Sequence, residues 1–285
     1  MDNRQEIKDF LTTRRARISP DSAGITWRGA RRVPGLRREE VAQLAGVSAD
    51  YYTQIERGQV TGVSDEILRA IGRGLRLDDD ETRHLFSLVR SVQRRSTAKG
   101  RSPATPPTVP PTVRAMLAAM SGLPALIQTT CLDVVDANAL GRALYTDLFA
   151  SDSSTRSNLA EFIFLDPRAA HFFVDWEESA DDAVGMLRLA AARAPHSRRT
   201  AAVIDRLSAH SEAFRARWSR HDVVGRIHGS MAFDHPAVGR FDLDYETLRI
   251  ASAPGIYLVG YSTPADVADT DPLQLLSTWC TTNAD

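Results

Sequence analysis

The sequence predicts two dissimilar domains: an all-α domain of five helices, followed by an α+β domain of about five antiparallel strands with helices on one face. Three observations carry this prediction. Apolar residues recur at helical spacing through the first third of the 285-residue chain. A segment from Ser96 to Thr112 then brings five prolines and almost nothing large to bury. Beyond it come two short strand-like segments, a long helical block and three segments of alternating character, an order that fits one sheet with packed helices.

In the first domain, Ile7, Phe10 and Leu11 mark one helix, and Val41, Leu44 and Ala45 a second. Tyr52 and Ile55 mark a third, Ile67, Leu68, Ile71 and Leu75 a fourth, and Leu85, Leu88, Val89 and Val92 a fifth. Ser48 is placed to cap the third helix and Ser64 the fourth, while Asp78 with Glu81 forms a capping box for the fifth. Gly58 follows the third helix where a left-handed residue is wanted. Arg37 stands at the N-cap of the second helix, so that end relies on Glu39 and Glu40. The expected boundaries are residues 1–95 for this domain, 96–112 for a semi-rigid linker and 113–285 for the second domain. There, Pro124–Thr130 and Leu132–Asn138 read as strands and Ala137–Phe149 as a helix. Leu159–Arg220 reads as a helical block, Gly225–Phe233, Gly239–Ile250 and Gly255–Thr263 as three strands, and Pro272–Trp279 as a closing helix.

The formal net charge of −1 argues against nucleic acid only while the chain is taken whole. Residues 1–101 hold 20 basic against 14 acidic side chains, a net of +6, which leaves −7 for the remainder. Cys131 and Cys280 are far apart in sequence and suggest neither a zinc site nor a disulfide framework. No apolar run approaches a membrane span, and the expected location is the cytoplasm, in association with the nucleoid.

The strongest signal runs from Leu36 to Gly58. Ala42 is small where two helices must cross, Gly46 sits at the turn, and Val47 and Ile55 seal the angle between the helices. This pattern resembles the Xre/Cro-type helix-turn-helix, whose second helix lies in the major groove. The likeness extends through Arg32-Val-Pro-Gly-Leu-Arg-Arg-Glu-Glu-Val-Ala, Ala49-Asp-Tyr-Tyr-Thr, Leu75-Arg-Leu-Asp-Asp-Asp-Glu-Thr-Arg-His-Leu-Phe, Arg217-Trp-Ser-Arg-His-Asp-Val, His235-Pro-Ala-Val-Gly and Leu243-Asp-Tyr-Glu-Thr-Leu. Across nearly the whole chain it resembles the MmyB-like transcription regulators of actinomycetes. That resemblance implies a DNA-binding domain followed by a PAS-like ligand-binding domain, whose pocket takes a fatty acid or another apolar ligand.

Within the motif, Ala49, Asp50, Tyr51, Thr53 and Gln54 are the candidates for base contact, Gln54 toward adenine, Asp50 toward cytosine and the Thr53 methyl toward thymine. Tyr52 and Ile55 face inward. The helix carries only Arg57 against Asp50 and Glu56. Phosphate contacts are therefore expected from Arg14, Arg15, Arg17, Arg28, Arg31, Arg32, Arg37 and Arg38, together with Ser48 and Arg57. Ile18–Gly35 is read as a basic arm along the DNA backbone or in the minor groove.

In the acidic domain the pocket lining is expected from Ile127, Val135, Leu144, Phe162, Phe172, Phe173, Trp176, Leu187, Phe241 and Leu258. Arg142, Arg168 or Arg188 are candidates to pair with a ligand carboxylate. No GxSxG, HExxH, Walker A or GxGxxG pattern is present, and the histidines are scattered, so neither catalysis, a metal nor a cofactor is expected. His235 is expected to be structural. The reading is a sequence-specific transcriptional regulator, acting as a homodimer on a double-stranded DNA operator and modulated by a small apolar effector, with no membrane partner. The alternative is a DNA-binding adaptor whose second domain binds a protein.

Overall fold

The computed structural model describes residues 3–25, 33, 35–97, 108–150, 157–195, 197–220, 226–264 and 272–282. By contacts the chain divides into two compact units. The first is residues 1–103 with 188–201 and 217–224; the second is residues 104–187 with 202–216 and 225–285.

The first unit contains five helices in its N-terminal part: α1 (Asn3–Arg17), α2 (Arg38–Ala45), α3 (Ala49–Glu56), α4 (Asp65–Gly74) and α5 (Asp79–Thr97). Their apolar stripes meet in one core containing Ile7, Phe10, Leu11, Val41, Tyr52, Ile55, Ile71, Leu85, Leu88 and Val89. The caps follow the local chemistry of the sequence. Ser48 Oγ accepts from Tyr51 N at 3.1 Å and Ser64 Oγ from Ile67 N at 3.3 Å. Asp78 Oδ1 accepts from Glu81 N at 2.8 Å while Glu81 Oε2 accepts from Asp78 N at 3.1 Å, the reciprocal box that closes α5. At α2, Arg37 has no side-chain acceptor to offer, and Glu40 Oε2 reaches back to the Arg37 N–H at 2.6 Å.

The second unit holds a five-stranded antiparallel sheet of order β2-β1-β5-β4-β3. Its strands are β1 (Ala125–Thr129), β2 (Val134–Ala137), β3 (His228–His235), β4 (Gly239–Arg249) and β5 (Ile256–Ser262). Its helices begin with α6 (Pro111–Ala119), whose first two residues overlap the expected linker; Pro111 occupies the first helical position, which proline tolerates. Next come α7 (Ala139–Leu144), α8 (Thr146–Ala150), α9 (Leu159–Leu165) and α10 (Ala169–Phe172). After these come α11 (Trp176–Arg193), α12 (Arg198–His210), α13 (Glu212–Ser219) and α14 (Pro272–Thr282), of which residues 188–193, 198–201 and 217–219 are part of the first unit.

Register decides which side chains share a face of this sheet. Ile127 pairs with Leu258, and these two, with Ala125 on the same strand as Ile127, join Val113 and Leu117 of α6 in one cluster. Tyr261, Phe233 and Phe241 point the other way, where Tyr145, Phe172 and Phe173 meet them. The exposed edge of β3 is covered in part by the segment ahead of α11: Phe173 bridges to Phe233, and Val174 N donates to Ala232 O at 3.1 Å.

Candidate functional site

The helix-turn-helix is built from α2 and α3. Gly46 ends α2 at φ +67, which a side chain would strain, and Val47 N returns to Ala42 O at 3.0 Å. Ala42 is buried at the crossing as its size requires. After α3 the chain turns at Gly58, at φ +77, and a Cβ there would stand 2.7 Å from Cα of Arg4 in α1. Gln93 of α5 holds the following loop by donating to Val60 O and Val63 O at 3.0 and 3.1 Å.

Helix α3 has two chemically distinct sides. Inward, Tyr52 and Ile55 are fully buried, as expected, and so is Glu56. Glu56 gathers the helices around it: Arg15 Nε of α1 donates to Oε2 at 3.2 Å, and Arg38 of α2 donates to Oε1 from Nε at 2.8 Å. Thr12 Oγ1 lies 3.4 Å from the same oxygen. Burial, reinforced by the Glu56 charge, pushes the Tyr52 phenol far above its ordinary range. Outward, Asp50, Gln54 and Arg57 are exposed at a spacing of four and three residues, one face of a helix. Ser48 is exposed beside them. Ala49 and Tyr51 are half-buried against the edge of the core, and the Thr53 hydroxyl turns back to Ala49 O at 2.8 Å. Of the five base-contact candidates, the structure thus brings Asp50 and Gln54 fully to the surface.

The phosphate candidates need correction. Arg14 is buried at 4% exposure, with its guanidinium 3.0 Å from Glu81 and over the Phe10 ring. Arg15 is held between Glu56 and Leu36 O, the latter at 2.7 Å. Both are internal braces, because a buried guanidinium is stable only where carboxylates and carbonyls satisfy it. Arg38 shares the Glu56 clamp but keeps 43% of its side chain exposed. Arg57 and Arg17 are exposed, and Arg17 donates to Arg220 O at 3.1 Å; Arg37 is half-buried. Arg28, Arg31 and Arg32, with the other residues of 26–32 and Pro34 in the expected arm, lie outside the described residues.

In the second unit the pocket drawn from the sequence is not one surface. Ile127, Val135 and Leu258 belong to the α6 side of the sheet, whereas Phe172, Phe173 and Phe241 belong to the opposite side. The aromatic side is filled ring against ring: Phe172 and Phe173 stand 4.9 Å apart, Phe162 meets both at 6.0 and 6.2 Å, and Tyr145 meets Phe172 at 5.6 Å. Tyr145 and Tyr261 share a hydroxyl–hydroxyl bond of 2.8 Å, and burial pushes the Tyr261 phenol up to about 12. Trp176 is half-buried, donating from Nε1 to Ile163 O at 3.0 Å, and Leu144 and Leu187 are fully buried. These residues pack a core rather than line a cavity.

A cavity of about 180 Å³ lies elsewhere, between α6, α7 and α14, lined by Ala118, Met120, Ser121, Asn138, Ala139, Leu140, Ser277 and Cys280. Asn138 frames it with all its capacity used. Its Oδ1 accepts from Ala125 N and Gly141 N at 3.0 and 2.7 Å, and its Nδ2 donates to Met120 O and Leu123 O. A second recess, bordered by Asp175, Glu178, Asp182, Arg226 and Tyr245, has room for about one water. The three arginines considered for a ligand carboxylate each hold a protein carboxylate instead: Arg142 holds Asp136, Arg168 holds Asp166 and Asp147, and Arg188 holds Glu6. His235 is buried and structural, with Nε2 donating to Ala143 O at 2.9 Å and Nδ1 accepting from Ala237 N at 3.2 Å. Among the described residues no group of three or more His, Cys, Asp or Glu is placed to hold a metal ion, and no helix is long and apolar enough to cross a membrane.

Comparison with known families agrees with this division of labour. A profile described as a helix-turn-helix domain matches residues 11–85, and one described as the MmyB-like transcription regulator ligand binding domain matches residues 109–276. No curated protein matches the chain significantly. The second profile alone covers more than half of the sequence, and with the α2–α3 motif ahead of it the chain belongs to the MmyB-like transcription regulators, DNA-binding proteins with a C-terminal ligand-binding domain.

Proposed function

We propose that this regulator reads a specific operator through the outward face of α3 and that a small apolar effector, fatty-acid-like in character, sets its activity from the second unit. The observation that carries the DNA half is the two-sidedness of α3. Glu56 fixes the inner side to α1 and α2, leaving Asp50, Gln54 and Arg57 as one exposed row on a rigid element. Gln54 suits adenine, Asp50 suits the cytosine amino group, and Arg57 at the end of the helix suits a phosphate. Ser48, Arg37, Arg38 and Arg17 supply further backbone contacts. The protein acts in the cytoplasm on nucleoid DNA, as a homodimer on two half-sites.

For the effector, the strand order β2-β1-β5-β4-β3 supports the PAS-like reading, and the cavity beside Met120 and Leu140 is the space we assign to it. Small side chains there, from Ala118, Ser121, Ala139 and Ser277, leave room that the ring-packed aromatic side does not.

In vitro selection from random duplexes tests the first half. An enriched motif is expected, with Gln54→Ala relaxing preference at one base pair by about 1–3 kcal/mol. Absence of any enriched sequence refutes it. Mass spectrometry of material released on denaturing the pure protein tests the second. A bound acyl chain, lost in Leu140→Trp, is expected; an unchanged acyl occupancy in that variant places the effector outside this cavity.

A further inference from the structure

The DNA-reading unit is not made from the N-terminal residues alone. Leu189 and Ala192, near the end of α11, belong to the same buried cluster as Ile7, Phe10 and Leu88. Beside them Arg188 is 1% exposed and is the largest fully buried side chain of the described residues. Its guanidinium pairs with Glu6 in the first turns of α1, donates to Trp218 O and lies 4.3 Å from the centre of the Trp218 ring. Asn3 completes the seat, donating to Ser91 Oγ of α5 and to Ala192 O at 3.4 Å.

Helix α1 is also the support of the recognition helix. Arg4 stands against Gly58, Thr12 and Arg15 face Glu56, and all three contacts lie at or next to the C-terminal end of α3. The segment that pins the start of α1 is 182 residues away in sequence from its ion-pair partner. It contributes few large apolar groups and one buried charge. A buried guanidinium is stable only while carboxylate and carbonyl groups satisfy it, so displacing this segment forfeits its ion pair, hydrogen bond and ring contact together.

We propose that the end of α11 is a detachable strut of the DNA-reading unit and that Arg188 is a positioning residue for α3. Docked on Glu6, the strut holds α1 and through it the recognition helix in the DNA-binding arrangement. Undocked, it leaves α1 loose and DNA affinity falls. Residues 176–187 of the same helix belong to the ligand-binding unit, so an effector there biases the docking equilibrium by its differential affinity for the two states. The inference rests on the DNA-binding assignment and not on the identity of the effector.

The test uses the full chain and two readouts. One is hydrogen exchange of the α1 amides. The other is affinity for a random-sequence 30-base-pair duplex, measured by fluorescence anisotropy at fixed salt and at a temperature where circular dichroism shows every variant folded. Arg188→Ala is expected to speed exchange across Ile7–Leu11 about 100-fold. It is also expected to weaken duplex binding about 10-fold, with Arg188→Lys recovering part of both. Should Arg188→Ala fail to fold, Glu6→Gln carries the test, because it keeps an acceptor while removing the charge. Unchanged exchange in α1, or unchanged affinity in a fully folded variant, overturns the proposal. Failure of the wild-type protein to bind any duplex overturns the reading of α3 instead, and the exchange measurement still decides whether the strut exists.

Discussion

Replacing Glu56 by Ala should damage the reader more than any single change on its outer face. The carboxylate has no exposure, accepts from Arg15 and Arg38, and lies beside the phenol of Tyr52. Without it Arg15, whose side chain is 14% exposed, keeps Leu36 O but loses its counter-charge in the interior. Removing one partner of a buried pair costs about 3–5 kcal/mol, most of it from the charge left behind. Arg38, at 43% exposure, can turn to water, so its share is small. Against a total stability of about 5–15 kcal/mol, the loss removes a large part of what holds α1, α2 and α3 together. Glu56→Gln keeps one acceptor and should cost about 1–3 kcal/mol. Native-state hydrogen exchange at Tyr52 and Ile55 reads this directly, with acceleration of about 100-fold or more expected for Ala and about 10-fold for Gln. If Ala changes exchange less than the Gln variant is expected to, the carboxylate is not the brace described here.

Gly58→Ala combines a positive φ with a clash against the backbone of Arg4, and should lower the melting temperature of the reader and weaken duplex binding together. Asn138→Ala removes four hydrogen bonds at the start of α7 and should cost about 3 kcal/mol in urea unfolding of the ligand-binding unit. Burial lowers the His235 pKa from 6.5, and both ring nitrogens suit the neutral tautomer. The unfolded chain therefore binds the proton more readily, so stability from this group is complete above pH 6.5 and declines as the pH falls toward the depressed folded value. His235→Gln should flatten that slope in melts between pH 5 and 7. Arg57→Ala should reduce the salt slope of duplex binding by about 0.9, whereas Arg14→Ala should lower stability and leave the slope per folded molecule unchanged.

What the sequence made legible was local. Ser48, Ser64 and the Asp78–Glu81 pair announce helix starts because capping needs only residues three apart, and Ala42 and Gly46 announce a helix crossing for the same reason. The braces were hidden because their partners are chosen by packing. Arg15 meets Glu56 across 41 positions, and nothing in either residue's neighbourhood distinguishes it from a solvated charge. Helix α6 was masked by prolines that a first helical turn accepts. The pocket reading failed on register. Ile127 and Leu258 are cross-strand partners, and only their pairing shows that they face α6 rather than the aromatic side. The cavity beside Met120 left no signal, since the small side chains that create space are the least conspicuous in a sequence.

The basic balance of residues 1–101 takes on a different meaning once those braces are seen. Part of the positive charge serves the interior: Arg14 is committed to Glu81, and Arg15 and in part Arg38 to Glu56. The described phosphate candidates left exposed are then few, Arg57, Arg17 and in part Arg38, together with Ser48, while the outward row of α3 proposed above to read bases contains Asp50. A carboxylate presented to DNA repels phosphate at every register and gains a partner only where a cytosine amino group is in reach. Weak attraction to arbitrary sequence combined with a carboxylate that must be satisfied raises the ratio of specific to non-specific binding without raising either affinity, and that ratio is the quantity on which regulation in a genome depends.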